Sequence, residues 1–211
     1  IAVEDSVQLS VFRAIRKKLG SGLKATSNIV EAIREIKDET EIERIRKAAV
    51  IAEQSLAKVL KKIKAGISEK EVAAMLDFEM KRAGAEPSFE TNVSFGSNAA
   101  MAHHRPGNRK LKKVDTILVD WGAKLNGYCC DLTRCFAVGK VKKLYAKAYK
   151  TVLDAQTTAI NMLKAGISVR DADKKAKEII KAQNLQPYGH GLGHGLGIDI
   201  HESPAVYIHS K

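Results

Sequence analysis

Two aspartates lie in neighbouring β-rich runs that a tight-turn signal connects. Asp120 belongs to the run at 116–122, and Asp131 belongs to the run at 128–138. The segment 124–127 between them ends in an Asn-Gly pair, which strongly predicts a β-hairpin. With these four residues as the loop, Asp120 lies directly across from Asp131. Their Cβ atoms would then be about 5 Å apart on one face of the hairpin.

This pairing would bring two negative charges together. Ionised carboxylates opposite each other repel, and burying even one unpaired charge costs on the order of several kcal/mol. A divalent cation bound between Asp120 and Asp131 would remove the repulsion, so the hairpin predicts a metal site. Two alternatives stay open: one aspartate pairs with Arg134 or a neighbouring lysine, or the register differs by one residue and the two side chains lie on opposite faces.

A glycine-rich segment near the end of the sequence carries three of the six histidines. The segment is 188–204 and contains His190, His194 and His201, with glycine at every second position over 189–197. Glycine permits close backbone approach and leaves the imidazoles free to face a site. The alternative is a flexible loop with incidental histidines. A phosphate-binding loop fits less well, because no Lys-Ser/Thr pair follows the glycines.

An internal repeat draws attention to a fourth histidine. The letters Lys-Ala-Gly-Ile-Ser occur at 64–68 and again at 164–168, and a proline follows at the same distance in both copies. Each copy predicts a long helix, a turn, a second helix and then strands, which indicates two αβ halves that face each other. His103 alone would be interpreted as a surface-loop residue. Shifted by the repeat offset, however, it falls two residues from His201, as if each half supplied a histidine to one cleft.

Helical periodicity predicts the elements that must position these side chains. Thr40 and Glu43 form a predicted capping box, and apolar residues follow at helical spacing for about six turns, up to a stop at Gly66. Ser68 and Glu71 form a second box, which begins the second helix of the same half.

Composition predicts an ordinary globular protein with neither a membrane nor a nucleic-acid partner. The 211 residues are 45% apolar and 28% charged. Neither a leader sequence nor an apolar run of about eighteen residues is present, so we expect a cytoplasmic location. A net charge of +12 would suit nucleic acid, but the lysines are spread along helical stretches and only 5% of residues are aromatic.

The three cysteines predict neither disulfides nor a zinc knuckle. Cys129, Cys130 and Cys135 lie within seven residues of each other. An odd count argues against a disulfide framework, and the spacing lacks paired Cys-x-x-Cys motifs. We therefore expect reduced, partly buried strand residues.

Three segments resemble the signature segments of the pita-bread metallopeptidases, a family that includes methionine aminopeptidase, Xaa-Pro aminopeptidase, prolidase and metal-free creatinase. The segments are Asp120-x-Gly122, Tyr128-x-x-Asp131-Leu-Thr-Arg134 and Gly193-His194-Gly-x-Gly197-x-x-x-His201-Glu-x-Pro204. The resemblance implies the pita-bread fold of the α/β (α+β) class, with pseudo-two-fold duplicated αβ halves and an incomplete second half. It also implies that residues 38–211 are the catalytic domain without its C-terminal strands. Residues 1–37 would be the tail and linker helix of an N-terminal domain.

The same resemblance implies roles for individual residues. Asp120, Asp131 and His194 would hold two divalent metal ions, and manganese, cobalt, iron and zinc all suit such carboxylate and imidazole ligands. His103 and His201 would be the catalytic histidines that contact the peptide and stabilise the transition state. The family adds two glutamates beyond His201, in Glu-Pro-Gly and Arg-x-Glu segments, and this chain contains neither.

The expected activity is metal-dependent hydrolysis of Xaa-Pro peptide bonds by a metal-bridged water, in an aminopeptidase or a dipeptidase. Substrates would be peptides with proline at the second position, and the full-length protein would be a homodimer. Two alternatives are a metal-free relative that acts as a binding or interaction protein and a creatinase-like hydrolase. Because two ligands are missing, the chain is expected to bind metal weakly and to turn over slowly or not at all.

Overall fold

The structure is a computed structural model that describes residues 1–102, 104–207 and 209. The chain separates into two compact units, Ile1–Ile36 and Lys37–Lys211. Within the described parts of the chain, every helix is too short or too polar to cross a lipid bilayer.

The first unit has a β–α–β arrangement followed by a short helix. Strand β1 (Ala2–Glu4) leads into helix α1 (Leu9–Leu19), and strand β2 (Lys24–Thr26) returns parallel to β1 before helix α2 (Ile29–Arg34). A parallel return requires a crossover connection, and α1 supplies it.

All remaining elements belong to the second unit. The helices are α3 (Glu39–Leu60), α4 (Glu69–Arg82), α5 (Lys143–Met162) and α6 (Val169–Ala182). The strands are β3 (Glu86–Pro87), β4 (Asn92–Phe95), β5 (Thr116–Trp121), β6 (Ala123–Leu125), β7 (Tyr128–Cys129), β8 (Leu132–Ala137), β9 (Gly193–Gly195) and β10 (Glu202–Val206). They form the sheets β4-β5-β8 and β3-β6-β7 and the two-stranded ribbon β9-β10.

Capping boxes begin both helices of the first half. The box of α4 is Ser68 and Glu71, as the sequence predicts. The predicted box at the start of α3 is wrong: Asp38 is the N-cap, and its carboxylate accepts from the amide of Glu41 at 2.8 Å. Aspartate is at least as good an N-cap as threonine, so the helix begins earlier than a box at Thr40 would allow.

The hairpin turn is shorter than the sequence analysis assumed. Leu125 pairs with Tyr128, so the loop contains only Asn126 and Gly127 rather than four residues. Their φ angles are 48° and 86°, the positive values that a two-residue turn of type I′ requires. Such a turn matches the right-handed twist of the strands, so the pairing of β6 with β7 continues up to the turn.

Strand β5 separates the main apolar core from the face that carries Asp120. Its side chains alternate, and Ile117, Val119 and Trp121 are buried. The core contains residues of α3, α4, β4 and β5, and the indole N–H of Trp121 donates to the carbonyl oxygen of Ala52 at 2.9 Å. Because side chains alternate along a strand, Asp120 faces away from this core.

The second half repeats the helix pair of the first half. Helices α5 and α6 flank the second Lys-Ala-Gly-Ile-Ser turn, as α3 and α4 flank the first, and Gly66 and Gly166 have matching φ angles of 91° and 86°. Small residues on α5 and α6, with Ile180, form a separate apolar cluster. The three cysteines are free thiols, as predicted, and Cys129 and Cys130 are buried.

We expect Leu76→Ala to lower the free energy of unfolding by about 2–5 kcal/mol, because it leaves a cavity in the core. Leu76 lies on α4 and is fully buried. Urea unfolding followed by the fluorescence of Trp121, the single tryptophan, measures the loss.

The matched control is Leu144→Ala on α5. Leu144 is 66% exposed, so its replacement should change the unfolding free energy by less than about 0.5 kcal/mol. Equal losses in the two variants would contradict this assignment of the core.

Candidate active site

Asp120 and Asp131 lie diagonally across the hairpin rather than opposite each other. The predicted register is wrong by two residues: Asp120 on β5 pairs with Thr133 on β8. A shift of two residues keeps every side chain on its original face, whereas a shift of one would reverse it. Asp131 precedes β8 and is a diagonal neighbour of Asp120, close enough for its charge to raise the pKa of the Asp120 carboxyl.

Both carboxyl groups have a raised pKa. Burial is the largest cause in each, because desolvation disfavours the anion. The hydroxyl of Thr133 donates to Asp120 at 2.9 Å and partly offsets the rise in its pKa. The charges of His194 and His201 lower the pKa of Asp131, but they lower it by less than burial raises it. A positive charge placed near Asp120 and Asp131 would therefore stabilise their ionised forms.

His194 on β9 approaches Asp131 from the second half of the chain. Its Nε2 lies 3.4 Å from Oδ2 of Asp131, and its Nδ1 lies 2.9 Å from the carbonyl oxygen of Gly195. A carbonyl oxygen only accepts, so a neutral His194 keeps its proton on Nδ1 and directs the Nε2 lone pair at the carboxylate. Two acceptors facing each other require a proton or a cation between them.

The distance between His194 and Asp131 fits two ligands of one metal ion. Ligands about 2.1 Å from one ion at a tetrahedral angle lie about 3.4 Å apart, which matches the separation of His194 Nε2 and Asp131 Oδ2. Imidazole nitrogen and carboxylate oxygen are ligands of zinc, manganese, iron and cobalt. Within the described residues, however, no group of three His, Cys, Asp or Glu side chains is already arranged to hold a metal ion.

His201 lies against His194 at the rim of the same site. The two ring centroids are 4.3 Å apart at an angle of 58°, and the side chain of His201 is exposed. His201 immediately precedes β10, and β10 pairs with β9. The ribbon therefore presents both imidazoles to the carboxylate of Asp131.

Contacts of Cys129 explain how the two halves meet at the site. The amide of Cys129, two residues before Asp131, donates to the carbonyl oxygen of Gly197 at 2.7 Å, and its thiol lies 3.5 Å from the carbonyl oxygen of Ile198. These bonds join β7 to the loop between β9 and β10. The loop of the ribbon is thereby fixed beside the hairpin that carries Asp131.

A nearly buried ion pair fixes the other side of this loop. Nζ of Lys37 lies 2.8 Å from Glu202, the residue after His201, and the two side chains are 13% and 9% exposed. Glu202 also accepts from the amide of Asp199 at 3.0 Å. A Cβ at Gly197 would lie 2.7 Å from the Glu202 carboxylate, so any other residue there would displace that carboxylate.

One histidine of the glycine-rich segment, His190, is not part of this group. His190 is exposed, stacks on Tyr188 with centroids 5.0 Å apart, and lies 2.6 Å from the carbonyl oxygen of Gly191 through Nδ1. His103 lies outside the described residues.

Sequence analysis gave no role to Thr133, Glu202 or Lys37. Thr133 and Glu202 lie inside the segments that carry the resemblance, so their proximity to the site was available as a signal. Lys37 gave no signal, because its partner is 165 residues away in the chain.

Comparison with known proteins gives a family match over most of the chain. The model of metallopeptidase family M24 matches residues 43–211. The Xaa-Pro dipeptidase of Pyrococcus furiosus is 33% identical over 209 residues, which are 98% of this chain and 60% of the relative. The chain thus spans about three fifths of that relative's length.

Two solved structures show the same arrangement of elements. An X-Pro aminopeptidase from Thermotoga maritima matches with a TM-score of 0.93 and 34% identity, over 100% of this chain and 61% of that one. An Xaa-Pro dipeptidase from Bacillus anthracis matches with a TM-score of 0.95 and 34% identity, over 99% of this chain and 60% of that one.

In metal-free protein, we expect Asp120→Asn to raise the free energy of unfolding at pH 7. The folded state holds the pKa of Asp120 above its unfolded value, so ionisation costs stability as the pH rises past about 4, the unfolded pKa. The cost is complete above the folded pKa and disappears below the unfolded one. Asparagine carries no charge and still accepts from Thr133. In urea unfolding with a metal chelator present, Asp120→Asn should therefore have a higher free energy of unfolding than wild type at pH 7. This difference should disappear below about pH 4.

The control is Asp154→Asn, which changes an exposed aspartate on α5. It should leave the pH dependence of unfolding unaltered. An Asp120→Asn protein less stable than wild type at pH 7 would contradict the assigned direction of the pKa.

Proposed function

The chain belongs to metallopeptidase family M24, and from that premise we propose that it hydrolyses the bond between a residue and a following proline. The structural match confirms the pita-bread fold that the sequence predicts. Support for the substrate comes from relatives named Xaa-Pro dipeptidase and X-Pro aminopeptidase. The proline would either end a dipeptide or continue into a longer chain.

The observation that carries this proposal is the approach of His194 to Asp131 beside Asp120. His194 on β9 lies 3.4 Å from Asp131, which precedes β8, the charge of Asp131 acts on Asp120 on β5, and both carboxyls have a pKa raised mainly by burial. We assign Asp120, Asp131 and His194 as ligands of divalent ions, with manganese, cobalt, iron and zinc all compatible. When bound, such ions supply a nucleophilic water at neutral pH and polarise the scissile carbonyl.

The chain's own side chains have separate tasks in this reaction. Thr133 holds one oxygen of Asp120 by its hydroxyl at 2.9 Å and so orients the carboxylate. The Nδ1 proton of His194 is retained by Gly195, so Nε2 stays available as a ligand. His201 would donate a hydrogen bond to the oxygen that gains negative charge, and His103 would contact the peptide.

Activity of the whole protein depends on more than these residues. The chain spans about three fifths of its relatives' length. The family it resembles places two further glutamates beyond the position of His201, and one of them would be the general base. We therefore propose that residues 1–211 alone bind metal weakly and cleave slowly or not at all. The homodimer stays a prediction.

We expect Co²⁺ to quench the fluorescence of Trp121, because Trp121 directly follows Asp120 in the sequence. Asp131→Ala removes a ligand and should weaken this binding about tenfold or more. Asp154→Ala is the matched control and should bind as wild type does. Equal affinity in the wild-type and Asp131→Ala proteins would contradict the assignment of the metal site.

A form lengthened past residue 211 with the two-glutamate segment of the family should cleave Ala-Pro and Ala-Pro-Ala in the presence of Mn²⁺. Asp131→Ala should abolish this activity, because removing a ligand disables the group that activates water. Product release followed by chromatography measures it. No cleavage by the lengthened protein would instead favour a non-catalytic relative that binds peptides, and metal-independent cleavage would contradict the proposed metal mechanism.

A further inference from the structure

Glu69 is a fully buried carboxylate in the first turn of α4. One of its oxygens accepts from the amide of Phe95 at 2.8 Å and from the side-chain amide of Asn98 at 2.9 Å. The other accepts from Nε2 of His104 at 2.9 Å and from the amide of Gly107 at 3.1 Å. Every lone-pair direction of the carboxylate is therefore used.

All four donors belong to one segment, residues 95–107, which we call the histidine loop. The loop leaves the end of β4 and contains a 3₁₀ turn over Gly96–Ala100. Its far end is also bonded to the backbone of α4, because the amide of Lys70 donates to the carbonyl oxygen of Gly107 at 3.2 Å. The carboxylate thus closes the loop onto the start of the helix.

The hydrogen bonds outweigh the burial of this anion. Burial alone would raise the pKa of Glu69, but the donors from Phe95, His104, Asn98 and Gly107 together hold it below its usual value. The positive end of the helix dipole favours a negative charge at the same position. Glu69 is therefore an anion, and its hydrogen bonds fix the loop relative to the start of α4.

A second buried glutamate on the same helix shows that this arrangement is specific to the loop. Glu79 is also buried, but its charge is balanced by three cations, Lys58, Lys62 and Arg82, at 3.5, 3.5 and 2.8 Å. These partners lie on α3, on the segment that follows it and on α4 itself. Glu79 stabilises the helix pair, whereas Glu69 orders a loop that includes exposed residues such as Met101.

The bond to Glu69 also fixes the chemistry of His104. A carboxylate only accepts, so Nε2 of His104 carries a proton, and in the neutral ring Nδ1 becomes the acceptor. The residue before it in the sequence is His103, the histidine predicted to contact the peptide. The loop is also continuous with β4, which pairs with the strand that carries Asp120.

We propose that Glu69 is a positioning residue for peptide binding, which gathers four donors of the histidine loop and holds His104, the neighbour of His103 in the sequence, in one arrangement. The inference rests on the proposed function for its consequence, because it assumes that the loop contacts the peptide. A buried anion is a poor stabiliser compared with a well-packed apolar side chain, but a fully satisfied one can specify a single conformation. Loss of the anion therefore affects peptide affinity more than the chemical step.

The test compares Glu69→Gln with Glu79→Gln in the lengthened form. Glutamine keeps the shape of Glu69 but has one acceptor oxygen, so some of the four donors lose their partner. We expect KM for Ala-Pro to rise about tenfold while kcat changes less than about threefold. Glu79→Gln should lose stability without a change in KM. An equal effect of both variants on KM, or an unchanged KM in Glu69→Gln, would overturn the proposal.

A second variant keeps the test decisive if Glu69→Gln does not fold. Asn98→Ala removes one donor from the 3₁₀ turn without substituting α4 or either histidine. KM should rise in this variant as well, by a smaller factor. An unchanged KM in Asn98→Ala would then count against the proposal.

Amide hydrogen exchange in residues 1–211 separates this inference from the proposed function. In Glu69→Gln, the amides of Phe95 and Gly107 should exchange faster relative to that of Val119 in the core, and in Glu79→Gln the ratio should stay as in wild type. If the lengthened wild type cleaves no peptide, the proposed function fails, and exchange alone decides whether Glu69 holds the loop. Unchanged ratios in Glu69→Gln would overturn the inference whatever the activity.

Discussion

The candidate site depends on one electrostatic constraint, which is that acceptors face each other around Asp131. The Nε2 atom of His194 lies 3.4 Å from its carboxylate, and the charge of Asp131 raises the pKa of Asp120. Partial burial strengthens this repulsion by removing water that would screen it. A bound cation would offset the repulsion between the two carboxylates and would accept the lone pair of His194 Nε2. The two carboxylates whose ionisation destabilises the metal-free fold would therefore give a divalent ion much of its affinity.

The side chains that hold this arrangement lie next to the site residues and not among them. Cys129 is two residues before Asp131 and bonds to Gly197, while Glu202 follows His201 and pairs with Lys37. Glu69 holds the histidine loop in the same manner, through partners far from it in the sequence. Each anchor is polar and shielded from water. A hydrogen bond or ion pair in such surroundings fixes direction as well as distance, which apolar contacts alone do not.

Much of the site was predictable because it depends on periodicity. The Asn-Gly pair predicted the hairpin, and the period of two residues placed Asp120 and Asp131 on one face even though the loop length was wrong. The repeated Lys-Ala-Gly-Ile-Ser segment predicted two matching helix pairs. The start of α3 was misassigned because Thr40 and Asp38 are both good N-caps, and only the hydrogen bonds of Asp38 distinguish them.

The sequence by itself determined which residue types are available for chemistry and on which face of each strand they lie. These properties follow from local periods and turn signals, which a short stretch of chain contains in full. The tertiary structure alone decided that His194 faces Asp131, that Lys37 pairs with Glu202 and that Glu69 binds the histidine loop. Such contacts join residues tens to more than a hundred positions apart. They depend on how the helices and sheets pack together, which no local pattern in the sequence specifies.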